Sequence, residues 1–294
     1  MPMQQSKHFS LNRLDWILLA IVAGSVSWLF LKDSGSLTYH WQWSKAISLL
    51  FTSKSDGSLP YFFDGIISTL RLTFLGMIFA VLFGTLLGLG RRSNITFIRA
   101  LSNSYIQLIR NIPPLVFIFI FYFFIANQLV PLFGLEHLLR EHSGNINPLQ
   151  SVLFGPASLW ENLISGVLCI GMISAAYIGE VVRSGLDAIP KGQHEAARSL
   201  GLSTWHRYRY IIAPQVFKVI IPPLAGQCIS LVKDSSIISL ISIQELTFVG
   251  TEIANSSGMI FEIWIVVALC YFILCFSLSR LFSHWESTTE KAQG

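Results

Sequence analysis

Long apolar stretches constrain the fold of this chain more than any other feature of its sequence. Six of them are long enough to cross the hydrocarbon core of a bilayer as helices, which takes about 20 residues each. They cover residues 14–31, 62–90, 105–130, 159–182, 214–232 and 259–282. Only 12% of the 294 residues are charged, against about 25% in a typical soluble domain. Because apolar residues run in blocks instead of alternating with polar ones, the sequence predicts an all-α, polytopic membrane bundle of about six helices.

Positive charge alternates between the connections that join these stretches. Lys and Arg collect on the cytoplasmic side of membrane proteins. One set of connections carries most of them: Lys7, Arg13, Arg91, Arg92, Arg99, Arg183, Lys191, Arg198, Arg207, Arg209, Lys218, Arg280 and Lys291. The other set carries only Lys32, Lys45, Lys54, Arg140 and Lys233. The charges therefore predict that both termini and a basic loop, residues 183–213, lie in the cytoplasm.

The predicted organisation has three parts. Residues 1–60 hold a cytoplasmic tail, the first membrane helix and an external loop, 61–285 form the transmembrane domain, and 286–294 are a cytoplasmic tail. The first helix could instead be a signal peptide, since a basic segment precedes it and residues 25–27 resemble a cleavage site. The apolar run continues through residues 28–30, which favours a retained helix.

Several classes of site find no support in the sequence. The net charge of +4 is spread between the apolar stretches and forms no dense basic stripe, which argues against a nucleic-acid surface. No Gly-Lys dipeptide occurs, so the chain lacks a phosphate loop, and we expect no nucleotide, cofactor or metal to bind to it. The cysteines have no zinc-site or disulfide spacing and are interpreted as packing residues: Cys169, Cys228, Cys270 and Cys275.

Small residues recur at every fourth position in two of the predicted helices. The second carries Gly76, Ala80, Gly84 and Gly88, and the fourth carries Gly171, Ala175 and Gly179. This spacing places small side chains on one helix face, where another backbone can approach closely. We expect both faces to be packing seams of a tight bundle.

The most specific segment is the cytoplasmic loop 192–214. Glu195, Ala196 and Ala197 favour a short helix, which we expect to end at a left-handed Gly201. Ser203 is suited to cap a second short helix before Pro214. The two alanines leave a narrow face that suits a groove on another protein. The charged residues are available for ion pairs at its rim: Glu195, Arg198, Arg207 and Arg209.

This loop resembles the signature of permease subunits of ATP-binding cassette (ABC) importers. The signature is Glu-Ala-Ala, three residues, Gly, nine residues and Ile-x-Leu-Pro. Six positions match it: Glu195, Ala196, Ala197, Gly201, Ile211 and Pro214. Ala213 replaces the usual Leu. The flanks resemble the polar amino acid branch of the family, in the strings 69–73, 110–114, 179–183, 189–192, 222–224 and 231–236.

The resemblance implies a type I importer permease fold, with a five-helix core and an additional N-terminal helix, in the bacterial cytoplasmic (inner) membrane. It implies a non-catalytic subunit that carries polar amino acids by alternating access. Its partners would be an ATPase dimer that binds ATP and Mg²⁺, an extracytoplasmic amino acid-binding protein, and a second copy or paralogue of the permease. The loop would seat in the ATPase and transmit its closure to the bundle.

Ionisable residues within the predicted helices are candidates for the substrate pathway. They are Arg71, Arg110, Glu180, Lys233 and Asp234. Charged groups in the membrane face the bundle interior or reach an interface, and the long basic side chains are interpreted first as reaching water. Glu180 is the stronger candidate, because its short side chain must either pair with Arg183 or attract a substrate ammonium group.

Two proline pairs allow two interpretations each. Pro222 and Pro223 indicate either a broken helix that lines a polar cavity or a kink in a packing helix. Pro113 and Pro114 indicate either the first turn of the third span or part of a site.

Two other functions remain open. An ion-coupled secondary transporter or channel would work without an ATPase, but the sequence shows no second set of broken helices and no chain of buried carboxylates. A membrane enzyme would have only His194 and His206 near Glu195, whose spacing fits no metal motif.

Overall fold

Helices account for nearly all of the secondary structure in the computed structural model, which describes residues 12–32, 39–53, 57, 59–126, 128 and 148–291. No β-strand occurs in these ranges. The twelve α-helices in this part of the chain are α1 (Arg13–Lys32), α2 (Trp43–Phe51), α3 (Tyr61–Gly90), α4 (Thr96–Asn111), α5 (Pro114–Ile120), α6 (Pro148–Phe154), α7 (Trp160–Asp187), α8 (Lys191–Ser199), α9 (Thr204–Arg207), α10 (Ala213–Asp234), α11 (Leu246–Ser257) and α12 (Ile260–Lys291). Lys7, Lys54, Arg140 and the predicted end of the third span at residue 130 lie outside the described residues.

Helix α1 belongs to one compact unit, Met1–Gln42, and the other helices to a second, Trp43–Gly294. Residue Asp15 stabilises the start of α1, because its carboxylate accepts a hydrogen bond from the backbone N–H of Asn12 at 2.7 Å. With 20 residues, α1 covers the first predicted span.

Four continuous helical segments of the second unit have the length and apolarity to cross a membrane. They are Tyr61–Gly90, Trp160–Asp187, Thr204–Ile241 and Ile260–Trp285, and the bent pair Thr96–Asn111 and Pro114–Ile125 counts as a fifth if it is one span. Together with α1, these segments correspond to the six stretches predicted from the sequence. The all-α polytopic bundle is confirmed.

The predicted third span, 105–130, is wrong at its beginning. The chain bends by 113° between α4 and the apolar helix that follows. Ile112 and Pro113 are extended, with ψ of 135° and 133°, because proline disfavours a helical residue before it and has no N–H to continue the helix. Pro114 is the first residue of α5, so the interpretation as a first turn is correct, and residues 105–111 belong to α4.

Of the two interpretations of the second proline pair, the broken helix is wrong. Pro222 and Pro223 lie inside α10, which stays helical from Ala213 to Asp234 and continues as a 3₁₀ helix over Ser235–Ile241. Membrane helices tolerate internal proline, since neighbouring groups satisfy the freed backbone carbonyls.

The seam between α3 and α7 contains the repeated small residues. A Cβ atom on Gly84 would lie 2.8 Å from the carbonyl oxygen of Ala175, and one on Gly88 would lie 2.8 Å from that of Gly179. One on Gly171 would meet Phe79 at 2.6 Å. The two backbones are therefore too close for larger residues, and the seam fixes α7, whose C-terminal end leads into α8.

Short helix α11 was not predicted. It begins after Glu245 and ends at Gly258, whose φ of 72° is typical of a helix C-cap. Its buried residues form an apolar cluster with the N-terminal end of α3, with α2 and with α12. Ser242, just before it, has a φ of 61°. A glutamate before a helical stretch and a glycine after it were the sequence signals for this helix.

Candidate functional site

The turn between α8 and α9 is built by Gly201. Its φ is 69°, a conformation that glycine adopts without strain. The N–H of Leu202 donates to the carbonyl of Ala197 at 3.2 Å, and the N–H of Gly201 donates to that of Arg198 at 2.9 Å. This pattern closes the C-terminus of α8 in the manner of a Schellman motif, so the predicted left-handed position is correct.

The helix after this turn is longer than predicted. Ser203 caps α9 by accepting from the N–H of His206 at 3.4 Å, as expected. However, α9 does not stop before Pro214: a π-helical turn, Tyr208–Ile212, joins it to α10. The joined helical segment Thr204–Ile241 has 38 residues, or about 57 Å at 1.5 Å per residue, against about 30 Å of hydrocarbon. One end therefore extends beyond the membrane as part of a membrane helix.

The structure also corrects which side chains this segment presents. Ala196 is exposed but Ala197 is buried, because successive residues on a helix point about 100° apart. Arg207 is buried too, with 9% of its surface exposed, and is not a rim residue. Glu195, Arg198 and Arg209 are exposed as expected. Ile211 is half-buried and Pro214 is exposed.

Glu180 lies in a cluster of arginines near the ends of three helices that face the loop 192–214. Its carboxylate accepts from Arg183 Nε at 3.0 Å, forms an ion pair with Arg91 of α3 and lies 3.3 Å from Arg110 of α4. The Arg183 pair was one of the two interpretations of Glu180. The other arginines were not foreseen, since they come from distant parts of the chain.

A second carboxylate extends this cluster toward α8. Asp187 accepts from Arg183 at 2.8 Å and lies 3.4 Å from Arg92. The side chain of Arg91 also donates to Asn103 of α4 at 2.9 Å. The Glu180 cluster, defined as Arg91, Arg92, Arg110, Glu180, Arg183 and Asp187, therefore joins α3, α4 and α7 just before the loop.

A cavity of about 350 Å³ lies beside the Glu180 cluster, lined by Arg110, Tyr177, Glu180, Val219, Pro223 and Gln227 among others. Pro223 has no N–H to donate to the carbonyl of Val219, four residues earlier. The cavity therefore combines a guanidinium, a carboxylate and an amide, which are groups suited to a zwitterion.

The other candidates for the pathway lie elsewhere. Arg71 lines a larger cavity of about 620 Å³, together with Tyr61, Asp64, Ser68 and Gln244. Its Nε donates to the carbonyl of Val152 at 2.7 Å. Lys233 and Asp234 are exposed at the end of α10 and line neither cavity. The five candidates thus do not form one site.

Glu245 is a buried carboxyl group that the sequence did not reveal. It is 0% exposed and accepts from Tyr271 of α12 at 2.6 Å, from Thr69 of α3 at 3.4 Å and from the N–H of Phe248 at 2.9 Å. The N–H of Leu246 donates to Thr69 at 3.1 Å. We call Thr69, Glu245 and Tyr271 the Glu245 network; it fixes α11 between α3 and α12.

The two loop histidines occupy separate places. His194 stacks edge-on with Tyr208, at 6.2 Å between ring centroids, whereas His206 Nδ1 lies 2.7 Å from Ser203 Oγ. Burial lowers the pKa of His194, and the positive charges of Arg207, Arg92 and Arg198 lower it further. In the described part of the chain, no cluster of three His, Cys, Asp or Glu side chains is arranged to hold a metal.

These features define a class of protein: a helical membrane protein whose bundle carries a helix-turn-helix between two candidate spans. The chain belongs to the family described as binding-protein-dependent transport system inner membrane component, which matches residues 80–291. It is therefore a permease subunit of an ABC importer with the type I fold, as the loop signature predicted. This family works with an ATPase and a substrate-binding protein.

Individual proteins support this assignment. The chain is 28% identical to the glutamate/aspartate import permease protein GltK of Escherichia coli O157:H7 over 251 residues, which is 85% of this chain and 99% of GltK. It is 28% identical to the probable glutamine ABC transporter permease protein GlnM of Bacillus subtilis, over 84% of this chain and 99% of GlnM. The crystal structure of an amino acid ABC transporter with histidines has a chain that is 30% identical, with a TM-score of 0.66 over 85% of this chain and 100% of that one.

Proposed function

We propose that this permease imports polar amino acids and is driven through residues 192–214 by a separate ATPase dimer. The observation that carries the proposal is the continuous helical segment Thr204–Ile241, which starts at the Gly201 turn. This segment is attached to the helix bundle at its outer end and to α8 at its inner end. It can therefore act as a lever. Movement of α8 therefore displaces α10 directly.

The Glu180 cluster supports this mechanism. It joins α3, α4 and α7 within a few residues of α8, since Asp187 is four positions from Lys191. Charge-assisted hydrogen bonds are stronger than neutral ones, so the inner ends of these helices would move as one body with the loop. The bundle then alternates between its two open states when the ATPase closes.

The substrate class is proposed from relatives and from the inner cavity. Both GltK and GlnM are named for polar amino acids. In the cavity, Arg110 would contact the substrate carboxylate, while the Val219 carbonyl and Gln227 would contact the ammonium group. Glu180 is already surrounded by arginines, so its role is to hold Arg110, and Arg71 would act at the outer cavity. Lys233 and Asp234 have no contact with either cavity and stay tentative members of the pathway.

Topology and partners complete the proposal. Both termini and the loop 183–213 lie in the cytoplasm, by the distribution of Lys and Arg. Two permease chains, identical or paralogous, enclose the pathway, and an extracytoplasmic amino acid-binding protein delivers the ligand. ATP and Mg²⁺ bind to the ATPase, and this chain itself catalyses no reaction.

Uptake in proteoliposomes tests the proposal. The permease is reconstituted with the ATPase and binding protein of its transporter, and uptake of radiolabelled glutamate, glutamine and histidine is measured with and without ATP. We expect uptake of at least one of them only with ATP and all partners present. Transport by the permease alone under a sodium or proton gradient would support an ion-coupled transporter instead.

A glycine pair tests the loop itself. Gly201→Asp puts a side chain at a φ of 69°, which costs about 1–2 kcal/mol, so we expect membrane insertion to persist while co-purification with the ATPase decreases. Gly192→Asp is the control, because a Cβ there also meets nothing within 4 Å but the backbone is not left-handed. Equal co-purification of both variants and the wild type would count against the lever.

A further inference from the structure

Arg207 is a buried cation with no carboxylate partner among the described residues. It is 9% exposed, and its Nε, enclosed by protein, has no hydrogen-bond acceptor. The ion pairs found in the same part of the chain involve other arginines. Burying a charged group without pairing it is unfavourable, so this position is incomplete as it stands.

The surroundings of Arg207 are positively charged. Its guanidinium lies 5.7 Å from the ring centre of Tyr208, and His194 packs against the same ring. Positive charge from Arg207, Arg92 and Arg198 reaches His194. Of these three arginines, Arg92 is the one that the described structure pairs with a carboxylate, Asp187 at 3.4 Å, so this face of the loop attracts an anionic group.

Two large apolar side chains close to Arg207 in the sequence are exposed. Leu200, just before the Gly201 turn, is 75% exposed, and Trp205 of α9 is 71% exposed. Tryptophan and arginine are both enriched in binding hot spots, in which a few such residues carry most of the energy. An anionic lipid would neutralise exposed cations such as Arg209 equally well, whereas a recessed guanidinium requires a directed acceptor. The chemistry therefore fits a protein surface.

We propose that Arg207 receives a carboxylate of the ATPase subunit, while the exposed Leu200 and Trp205 contact apolar parts of that subunit. This inference rests on the proposed function, and it adds a second contact to the one that α8 makes. The carboxylate approaches through the 9% of Arg207 that remains exposed, so the charge of the guanidinium is paired only when the ATPase is docked.

Affinity measurements test the proposal. Full-length permease in nanodiscs is titrated with its ATPase at about 50 and about 500 mM salt, for the wild type, Arg207→Gln and Arg209→Gln. Removing one partner of a buried charge pair is costly, so we expect Arg207→Gln to weaken binding at least about tenfold. The exposed control Arg209→Gln should lose about threefold at most. Comparable effects of the two variants, or none, would overturn the proposal.

Two further measurements distinguish the proposed contact from a folding defect and from lipid binding. If Arg207→Gln unfolds, Arg207→Lys replaces it, and we expect an affinity loss larger than that of Arg209→Lys. If Arg207→Gln leaves ATPase affinity unchanged but reduces binding of the permease to phosphatidylglycerol, the site is for lipid and the proposal is wrong. Wild-type permease that does not bind the ATPase at all would refute the proposed function itself, whereas unchanged binding by Arg207→Gln would refute only this inference.

Discussion

The Glu180 cluster and the Glu245 network place the same side chain in opposite environments. The Glu180 side chain is 23% exposed and surrounded by arginines. Glu245 is fully buried, and its hydrogen bonds come from two hydroxyl groups and a backbone N–H. The first region joins helices through charge next to the loop, and the second joins them through hydrogen bonds from uncharged donors around α11. The two regions thus differ in composition: we propose that the first transmits movement, whereas the second holds a helix in place.

The largest loss of stability is expected from substitution of Glu245. Glu245→Ala leaves Tyr271, Thr69 and the start of α11 without their acceptor. At about 1–3 kcal/mol for each unsatisfied buried group, it should destabilise the protein by about 3 kcal/mol and lower its melting temperature in detergent. Glu245→Gln is the control, because its carbonyl oxygen can still accept from Phe248, and should cost less. If both variants melt like the wild type, α11 is not held by this network.

The second largest loss of stability is expected from a substitution in the seam between α3 and α7. Gly84→Ala places a Cβ atom 2.8 Å from Ala175 O and from Ile178, and overpacking typically costs about 1–3 kcal/mol. Hydrogen exchange should accelerate in 175–187, beside the Glu180 cluster, but not in 245–257. Gly226→Ala in α10, which meets nothing within 4 Å, is the matched control. Acceleration in both segments would show that the two regions are not independent.

A smaller effect is expected at Glu180. Glu180→Gln leaves Arg91, Arg110 and Arg183 with less negative charge, and hydration of the cluster limits the loss to about 1–2 kcal/mol. Because salt screens repulsion between the arginines, the loss should shrink as salt is raised. Melting curves at low and high salt measure this. The same loss at both would mean that charge does not hold this region.

The smallest effect is expected at the exposed edge of the same cluster. Asp187 is 48% exposed, and pairs of this kind contribute about 0.2–1 kcal/mol. Asp187→Asn should therefore change the melting temperature by about 2 °C at most. A shift as large as that of Glu180→Gln would make Asp187 an equal member of the cluster.

Interactions between residues close in the sequence could be predicted for this chain, and interactions between distant residues could not. The left-handed Gly201, the Ser203 cap and the Glu180–Arg183 pair follow from residues within four positions of one another, so the sequence reveals them. Glu245 is 176 positions from Thr69 and 26 from Tyr271, and no charge near it in the sequence marks it as buried. Arg207 was misplaced for the same reason, since helical spacing alone does not show which neighbour covers a side chain.

The most direct test of the central claim is the accessibility of α8. Ser199 is exposed, so Ser199→Cys, with the four native cysteines replaced by alanine, provides one site for a membrane-impermeant maleimide. We predict labelling from the cytoplasmic face alone, and protection when the ATPase binds. Labelling from the outer face, or cytoplasmic labelling that saturating ATPase leaves unchanged, would contradict the account.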